Sequence, residues 1–406
     1  MGDYLTSEIP KVHRIARVAQ AFTPGAPIDR LSLFAGRLLQ VQDVVSAVSQ
    51  KGQHVGLYGE RGVGKTSLAN VLHEFFAAPD LPQFQSAFVN CNSDDTYDSI
   101  WRNVFRELEL EAGSTLSPED VRYEIERLGT PALVVIDELD RLQDDDALTL
   151  LADTIKTLSH HTVASTIVLV GVARSIGDLI GEHESIVRNL VQVQIPRMTQ
   201  KELREIVEKG CASAELTAGP EAVDKITLLS EGLPHYTHLL ALYSAQRVVQ
   251  DDRTEITLAD VNAAIPQAVE RHTIQSDYLR ATRSTQPDAL YRQVLLACAL
   301  ARKNQLGYFP AGAIRDPLAV IAGRRIEIPQ FARHLKQFLQ PERGSVLHRE
   351  GESRHFFYRF TDPILQPYVI LTGLADGLIS DAQLIQIQGD AAVPTDSAPE
   401  EPQSLF

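Results

Sequence analysis

Residues 59–66 read Gly59-Glu60-Arg61-Gly62-Val63-Gly64-Lys65-Thr66 and fit the spacing G-x-x-x-x-G-K-[ST]. That spacing serves one kind of chemistry, the holding of a phosphate chain. Main-chain N–H groups must wrap the anion, so glycine stands where a side chain would block the approach. A helix that starts inside the loop aims the positive end of its dipole at the same charge. Lys65 is placed to reach the terminal phosphates, and the Thr66 hydroxyl to ligate Mg²⁺, with Ser67 following on the first helical turn. The flanks agree, because an apolar run (54–58, HVGLY) leads in and a helical pattern leads out.

A second signal is acidic. The apolar run 132–136 (ALVVI) ends in Asp137-Glu138-Leu139-Asp140. Carboxylates at the carboxyl end of a buried strand lie where open α/β sheets bind ligands. Asp137 suits Mg²⁺, directly or through water, and Glu138 suits the polarising of a water that attacks a γ-phosphate. The two motifs together predict a site that binds ATP with Mg²⁺ and hydrolyses it.

Elements must carry these residues to one place. Strand-like runs at 54–58, 86–90, 132–136, 165–171 and 190–195 alternate with helical patterns at 65–77, 97–110, 118–129, 145–160 and 175–189. This predicts an α/β P-loop domain over residues 34–196, a parallel sheet with helices on both faces. Near-continuous apolar strands fit a sheet covered on both sides. Ahead of it, residues 1–33 hold Pro24 and Pro27 and little periodicity, and read as an irregular N-terminal arm. Residues 197–271 switch to helix alone (199–213, 219–231, 234–250, 258–270) and read as a helical lid, with Thr257 and Asp260 marking the last helix start. Residues 272–284 read as a polar connector. Residues 286–371 show helices at 288–302 and 327–340, then strand-like runs at 345–349 and 354–360 around a turn at 350–353, the pattern of a winged helix. Residues 388–406, acidic and poor in apolar types, are expected to be disordered.

On these residues the chain resembles AAA+ ATPases, and among them the replication-initiator and origin-recognition branch. The likeness rests on Gly59–Ser67, on the block 135–142 around Asp137 and Glu138, and on Phe34-Ala35-Gly36-Arg37 ahead of the first strand. The last block is similar to the element that packs over the adenine, which implies base contact by Gly36 and Arg37. Gly232-Leu233-Pro234 resembles the glycine-leucine-proline motif of STAND-type signalling ATPases. The resemblance implies an arginine finger at Arg188, a first sensor at Arg174 or Ser175, and a lid sensor at His235 beside Pro234. A neutral histidine there departs from the usual arginine, which favours slow, regulatory hydrolysis. It also implies a homo-oligomer in the ATP state.

The net charge is −15, so the whole surface does not suit a polyanion. The distribution is uneven. Residues 1–279 hold 24 Lys+Arg against 40 Asp+Glu, residues 280–370 hold 14 against 7, and the remainder has 6 acids and no base. The basic stretch includes Arg324, Arg325, Arg333, Lys336, Arg343, Arg349 and Arg354, and suits either DNA phosphates or a protein partner. Cys91, Cys211 and Cys298 lie far apart and fit neither a disulfide framework nor a metal site, which suggests buried thiols in a cytoplasmic protein. No apolar run has the length of a bilayer span, so no membrane is expected. Two functions compete: a nucleotide-driven switch that engages a signalling or defence effector or DNA, and a DNA-binding initiator-like or transposition-helper protein whose ATP site is mainly structural.

Overall fold

The computed structural model describes residues 2–76, 84–113, 115–173, 177, 189–270, 272–286, 289–304, 306–351 and 356–391. Contacts within the chain divide it into two compact units. One comprises Thr23–Gly210 with Gly232–His235, and the other Met1–Phe22, Cys211–Glu231 and Tyr236–Phe406.

The first unit is built on five parallel strands, β1 (His54–Gly59), β2 (Gln85–Asn90), β3 (Ala132–Asp137), β4 (Ser165–Val172) and β5 (Leu190–Gln194), in the order β2-β3-β4-β1-β5. The expected strands are thus all present, and the fold is α/β. Register pairs Ile136 of β3 with Leu169 of β4, and Tyr58 of β1 with Gly171 of β4 and Gln194 of β5. Alternate residues face opposite sides. Val134 and Ile136 join one apolar cluster with Ile167 and Leu169, covered by the helices Tyr97–Glu107, Pro118–Arg127 and Asp145–His160. Trp101 is completely buried there. The helix Lys65–Phe75 packs on β1, β3 and β4, and the helix Leu38–Val48 on β1 and β5. At the start of β1, His54 is fully buried, and its Nδ1 accepts the Ile167 N–H at 2.9 Å.

The second unit is mostly helical. The helices Pro220–Leu229, Leu258–Glu270 and Leu365–Ala375 pack together, and two-residue parallel strands β6 (Thr217–Ala218) and β7 (Glu255–Ile256) clip one end. The expected cap holds: Asp260 accepts from Thr257 N at 2.9 Å and from Thr257 Oγ at 2.6 Å. Further on, the helices Tyr291–Leu300, Arg315–Ala322 and Ile328–Phe338 accompany a three-stranded antiparallel sheet, β8 (Phe309–Pro310), β10 (Phe357–Phe360) and β9 (Leu347–Glu350) in that order.

Three stretches differ from expectation. The arm begins with a helix, Gly2–Ala21, because Val18 and Phe22 make an apolar face and Lys11 and Arg14 donate to the carbonyls of Gln250 and Arg253. The connector holds a helix, Gln275–Thr282, whose Tyr278 and Ala281 are buried. The helix Asp381–Ala391 enters the stretch expected to be disordered, anchored by buried Leu384 and by a Gln388 donation to Glu231. Residues 392–406 lie outside the described residues.

Candidate nucleotide site

The turn after β1 forms the floor of the site. Gly59 has φ 155°, and a Cβ there would stand 2.4 Å from the Ile195 carbonyl oxygen, so only glycine lets the loop leave the strand beside β5. Gly62 and Gly64 also take positive φ, and Gly64 is the N-cap of the helix Lys65–Phe75. That helix therefore opens with unpaired N–H groups directed at the loop. Lys65 is 7% exposed and donates to the carbonyls of Gly59 at 3.1 Å and Glu60 at 2.8 Å. Burial lowers its ammonium to about 8, against the opposing pull of Asp140, Asp137 and Glu60.

The acidic strand end faces the same loop. Asp137 is 2% exposed, its Oδ1 accepts the Glu138 N–H at 2.7 Å, and Oδ2 is buried with no hydrogen-bond partner among the described residues. Burial raises its pKa, while the Thr66 hydroxyl and the Glu138 amide pull it back. A buried carboxylate oxygen without a donor, beside a hydroxyl, is the donor set of a hard divalent cation. Glu138 adopts a left-handed backbone with φ 55° and ψ 34°, which turns its half-exposed side chain out of the strand to meet Arg141 at 2.6 Å. Asp140 accepts the Val172 N–H at 2.7 Å and so fastens the end of β4 to the turn after β3.

Three peripheral segments converge on this floor. The Gly232-Leu233-Pro234 segment is held where Met198 N donates to Gly232 O at 2.9 Å, and a Cβ on Gly64 would lie 3.8 Å from Pro234 Cγ. His235 is half-buried, with Nδ1 2.7 Å from the Pro24 carbonyl, and desolvation lowers its pKa below the ordinary histidine value. The arm is fastened along the loop helix, Ile28 N donating to Ser67 Oγ at 3.0 Å and Leu31 N to Glu74 at 3.1 Å. Arg37 reaches the loop as well, its Nη2 donating to Val63 O at 2.8 Å, while Gly36 beside it donates to Glu205. Glu60 pairs with Arg197 at 2.7 Å. Arg61 is exposed. Arg188, Arg174 and Ser175 lie outside the described residues.

Sequence reasoning missed the Asp140 clasp, the Pro24–His235 contact and the Glu60–Arg197 pair. Each joins residues far apart along the chain, where spacing carries no signal. One trace was readable: Thr199-x-x-Glu202 is a capping box, and Glu202 does accept from Thr199 N at 2.8 Å.

Residues 48–180 match the family described as AAA domain. No curated protein matches the chain. Among solved structures, the chain is similar to the ORC2 protein of Aeropyrum pernix, solved as ADPNP-ADP complexes, at 16% identity and TM-score 0.51, over 92% of this chain and 98% of that one. It also matches Cdc6p from Pyrobaculum aerophilum (16% identity, TM-score 0.48, covering 89% and 99%). A third match is the RuvB Holliday junction branch migration motor of Thermotoga maritima (16% identity, TM-score 0.47, covering 83% and 96%). The glycine cradle after β1 and the acids after β3 both lie within residues 48–180, which match the AAA domain family, and the five-stranded parallel α/β fold agrees with that match.

Proposed function

We propose that this chain is an ATP-hydrolysing switch, in which nucleotide held at residues 59–67 controls self-assembly and the engagement of a partner through residues 286–371. The observation that carries the reading is a buried Lys65 fixed on the loop carbonyls together with a buried Asp137 whose Oδ2 has no hydrogen-bond partner among the described residues. The main-chain amides of the loop and the start of the helix Lys65–Phe75 hold the phosphates. Lys65 exchanges its two loop carbonyls for β- and γ-phosphate oxygens. Thr66 and Asp137 are the residues that would hold Mg²⁺, which supplies neutralisation of the phosphate charge when bound. Glu138 orients the attacking water, and to do so its carboxylate must leave Arg141. Pro234 and His235 close one side of the cradle, and His235, being neutral, adds no fixed positive charge there. That favours long retention of nucleotide and slow turnover. Arg188 is proposed as the residue that reaches a neighbouring subunit's phosphates.

The three helices and the antiparallel sheet β8-β10-β9 are proposed to form a winged helix. Arg333 and Lys336 stand exposed on the helix Ile328–Phe338, opposite buried Phe331, His334 and Leu335, and form no ion pair among the described residues. Arg349 is exposed on β9, with its guanidinium 4.1 Å from the centre of the Phe356 ring. Arg343 is not available to a partner, since it donates to Ala281 O at 2.9 Å and its guanidinium lies 3.8 Å from the centre of the Tyr291 ring. Arg354 lies outside the described residues. Exposed, unpaired bases at one-turn spacing suit duplex phosphates.

Calorimetry and a phosphate-release assay test the switch. Lys65→Ala is expected to weaken ATP binding by roughly a hundredfold, the loss of a charge-assisted contact of ~3 kcal/mol. Glu138→Gln is expected to keep ATP affinity and lose hydrolysis by about a hundredfold or more. Wild-type protein that folds yet holds no ATP would sink the reading.

A further inference from the structure

Arg37 sits where a base-binding residue is expected, but its side chain is spent elsewhere. It is 2% exposed, and Nη2 donates to the carbonyl of Val63, in the middle of the phosphate loop, at 2.8 Å. A trans peptide sends C=O and the next N–H in opposite directions. A donor fixed on Val63 O therefore aims the Gly64 N–H away from Arg37, and Gly64 N–H is one of the amides that the loop offers to phosphate.

The backbone that delivers this guanidinium is itself held. Arg37 has φ 63° and Gly36 φ 65°, consecutive left-handed residues that turn two amides the same way. Arg37 N donates to Glu202 Oε1 at 2.8 Å, and Gly36 N to Glu205 Oε2 at 3.1 Å. Both carboxylates lie on the first turns of the helix Gln200–Ser213. Gly36 is pressed so closely onto Glu202 that a Cβ would come within 2.6 Å of its Cγ. Glu202 is held below the ordinary carboxylate range: partial burial works against this, and the N–H groups of Arg37 and Thr199 outweigh it. Lys209, one turn beyond Glu205, donates to Phe34 O at 2.6 Å and pairs with Glu205 at 2.8 Å. Residues 34–37 are thus clasped by one helix face.

The guanidinium is an expensive device by stability alone. Burial lowers Arg37 to about 10, and its Nε has no hydrogen-bond partner among the described residues. A buried charge with an unmet donor destabilises the fold unless something else retains it. We propose that Arg37 is a positioning residue of the nucleotide site. It sets the Val63–Gly64 peptide for phosphate, and Glu202 and Glu205 tie that setting to the helix Gln200–Ser213. The inference deepens the nucleotide reading above and rests on it.

The test compares the full-length wild type with Arg37→Met, Arg37→Lys and Glu205→Gln, measuring affinities for ATP, ADP and GTP by calorimetry and thermal midpoints without nucleotide. Loss of one charge-assisted contact to the loop is expected to weaken ATP and ADP alike by about tenfold in Arg37→Met. Arg37→Lys, which keeps a donor within reach of Val63 O, should recover part of this. Glu205→Gln should shift both affinities in the same direction by less. The ATP-to-GTP preference should stay unchanged, and the midpoint of Arg37→Met should stay level or rise. A changed ATP-to-GTP preference would mean base contact and overturn the proposal, as would unaltered affinities in Arg37→Met beside a wild type that binds. A fall in midpoint that accounts for the lost affinity would overturn it too. Wild-type protein that binds none of the three nucleotides would fail the site itself, a separate result from a failure of Arg37 alone.

Discussion

The phosphate loop and the outer face of the helix Ile328–Phe338 both carry positive charge, and they carry it in opposite ways. At the loop, Lys65 and the Arg37 that reaches in from residues 34–37 are buried, and each is fixed on loop carbonyls. On the helix, Arg333 and Lys336 are exposed and form no ion pair among the described residues. A buried charge works through position, so its surroundings tolerate little change. An exposed charge works through field, adding to its neighbours and fading with salt. The first region should break sharply under single substitutions, and the second should weaken by degrees.

The strongest break is expected at Gly59. Gly59→Ala forces a Cβ against Ile195 O in a left-handed backbone, and should cost roughly 3–4 kcal/mol. The chain has a single tryptophan, Trp101, in the sheet unit, so its fluorescence during urea unfolding reads that unit directly. Alanine at Arg333 or Lys336 should shift stability by no more than about 0.5 kcal/mol. Equal losses at both places would erase the contrast.

Acid should sharpen it next. Burial holds His54 at about 4 against an ordinary 6.5, so the unfolded chain takes up a proton first as pH falls. The stabilisation is complete above pH 6.5 and is lost as pH drops towards 4, on the order of 3 kcal/mol in all. A His54→Gln variant should lose this pH dependence in Trp101 fluorescence melts. His334 is also depressed, by burial first and then by Arg333 and Arg343. The C-terminal helices should therefore weaken in the same direction.

The gentlest effect is expected on the exposed face. Reversing Arg333 and Lys336 together should weaken duplex DNA binding about tenfold and lower the slope against log salt by about two. Binding that keeps both its strength and its slope would assign that face to a protein partner.

Much of the sheet unit was legible because its signals are local. The apolar runs ending at Tyr58 and Ile136 name two strands, and the loop motif and the two acids name their ends. The helix Leu365–Ala375 was not legible, since residues 365–373 are all buried and an apolar run buried all round has no period to read. Gly2–Ala21 was obscured for the converse reason, a mostly polar helix whose docking depends on Gln250 and Arg253. At the site, spacing found Lys65, Thr66, Asp137 and Glu138. It did not find that Arg37 faces the loop carbonyl, because that depends on two carboxylates some 165 residues further on.

The depressed ammonium of Lys65 has a calorimetric consequence. With its pKa at about 8, a solution near that pH holds a mixture of charged and uncharged amine. Triphosphate oxygens favour the charged form. Loading the site at pH 8 should therefore draw protons from the medium, and the measured heat should change with the ionisation enthalpy of the buffer. Above that pH, affinity should decline by up to tenfold per unit.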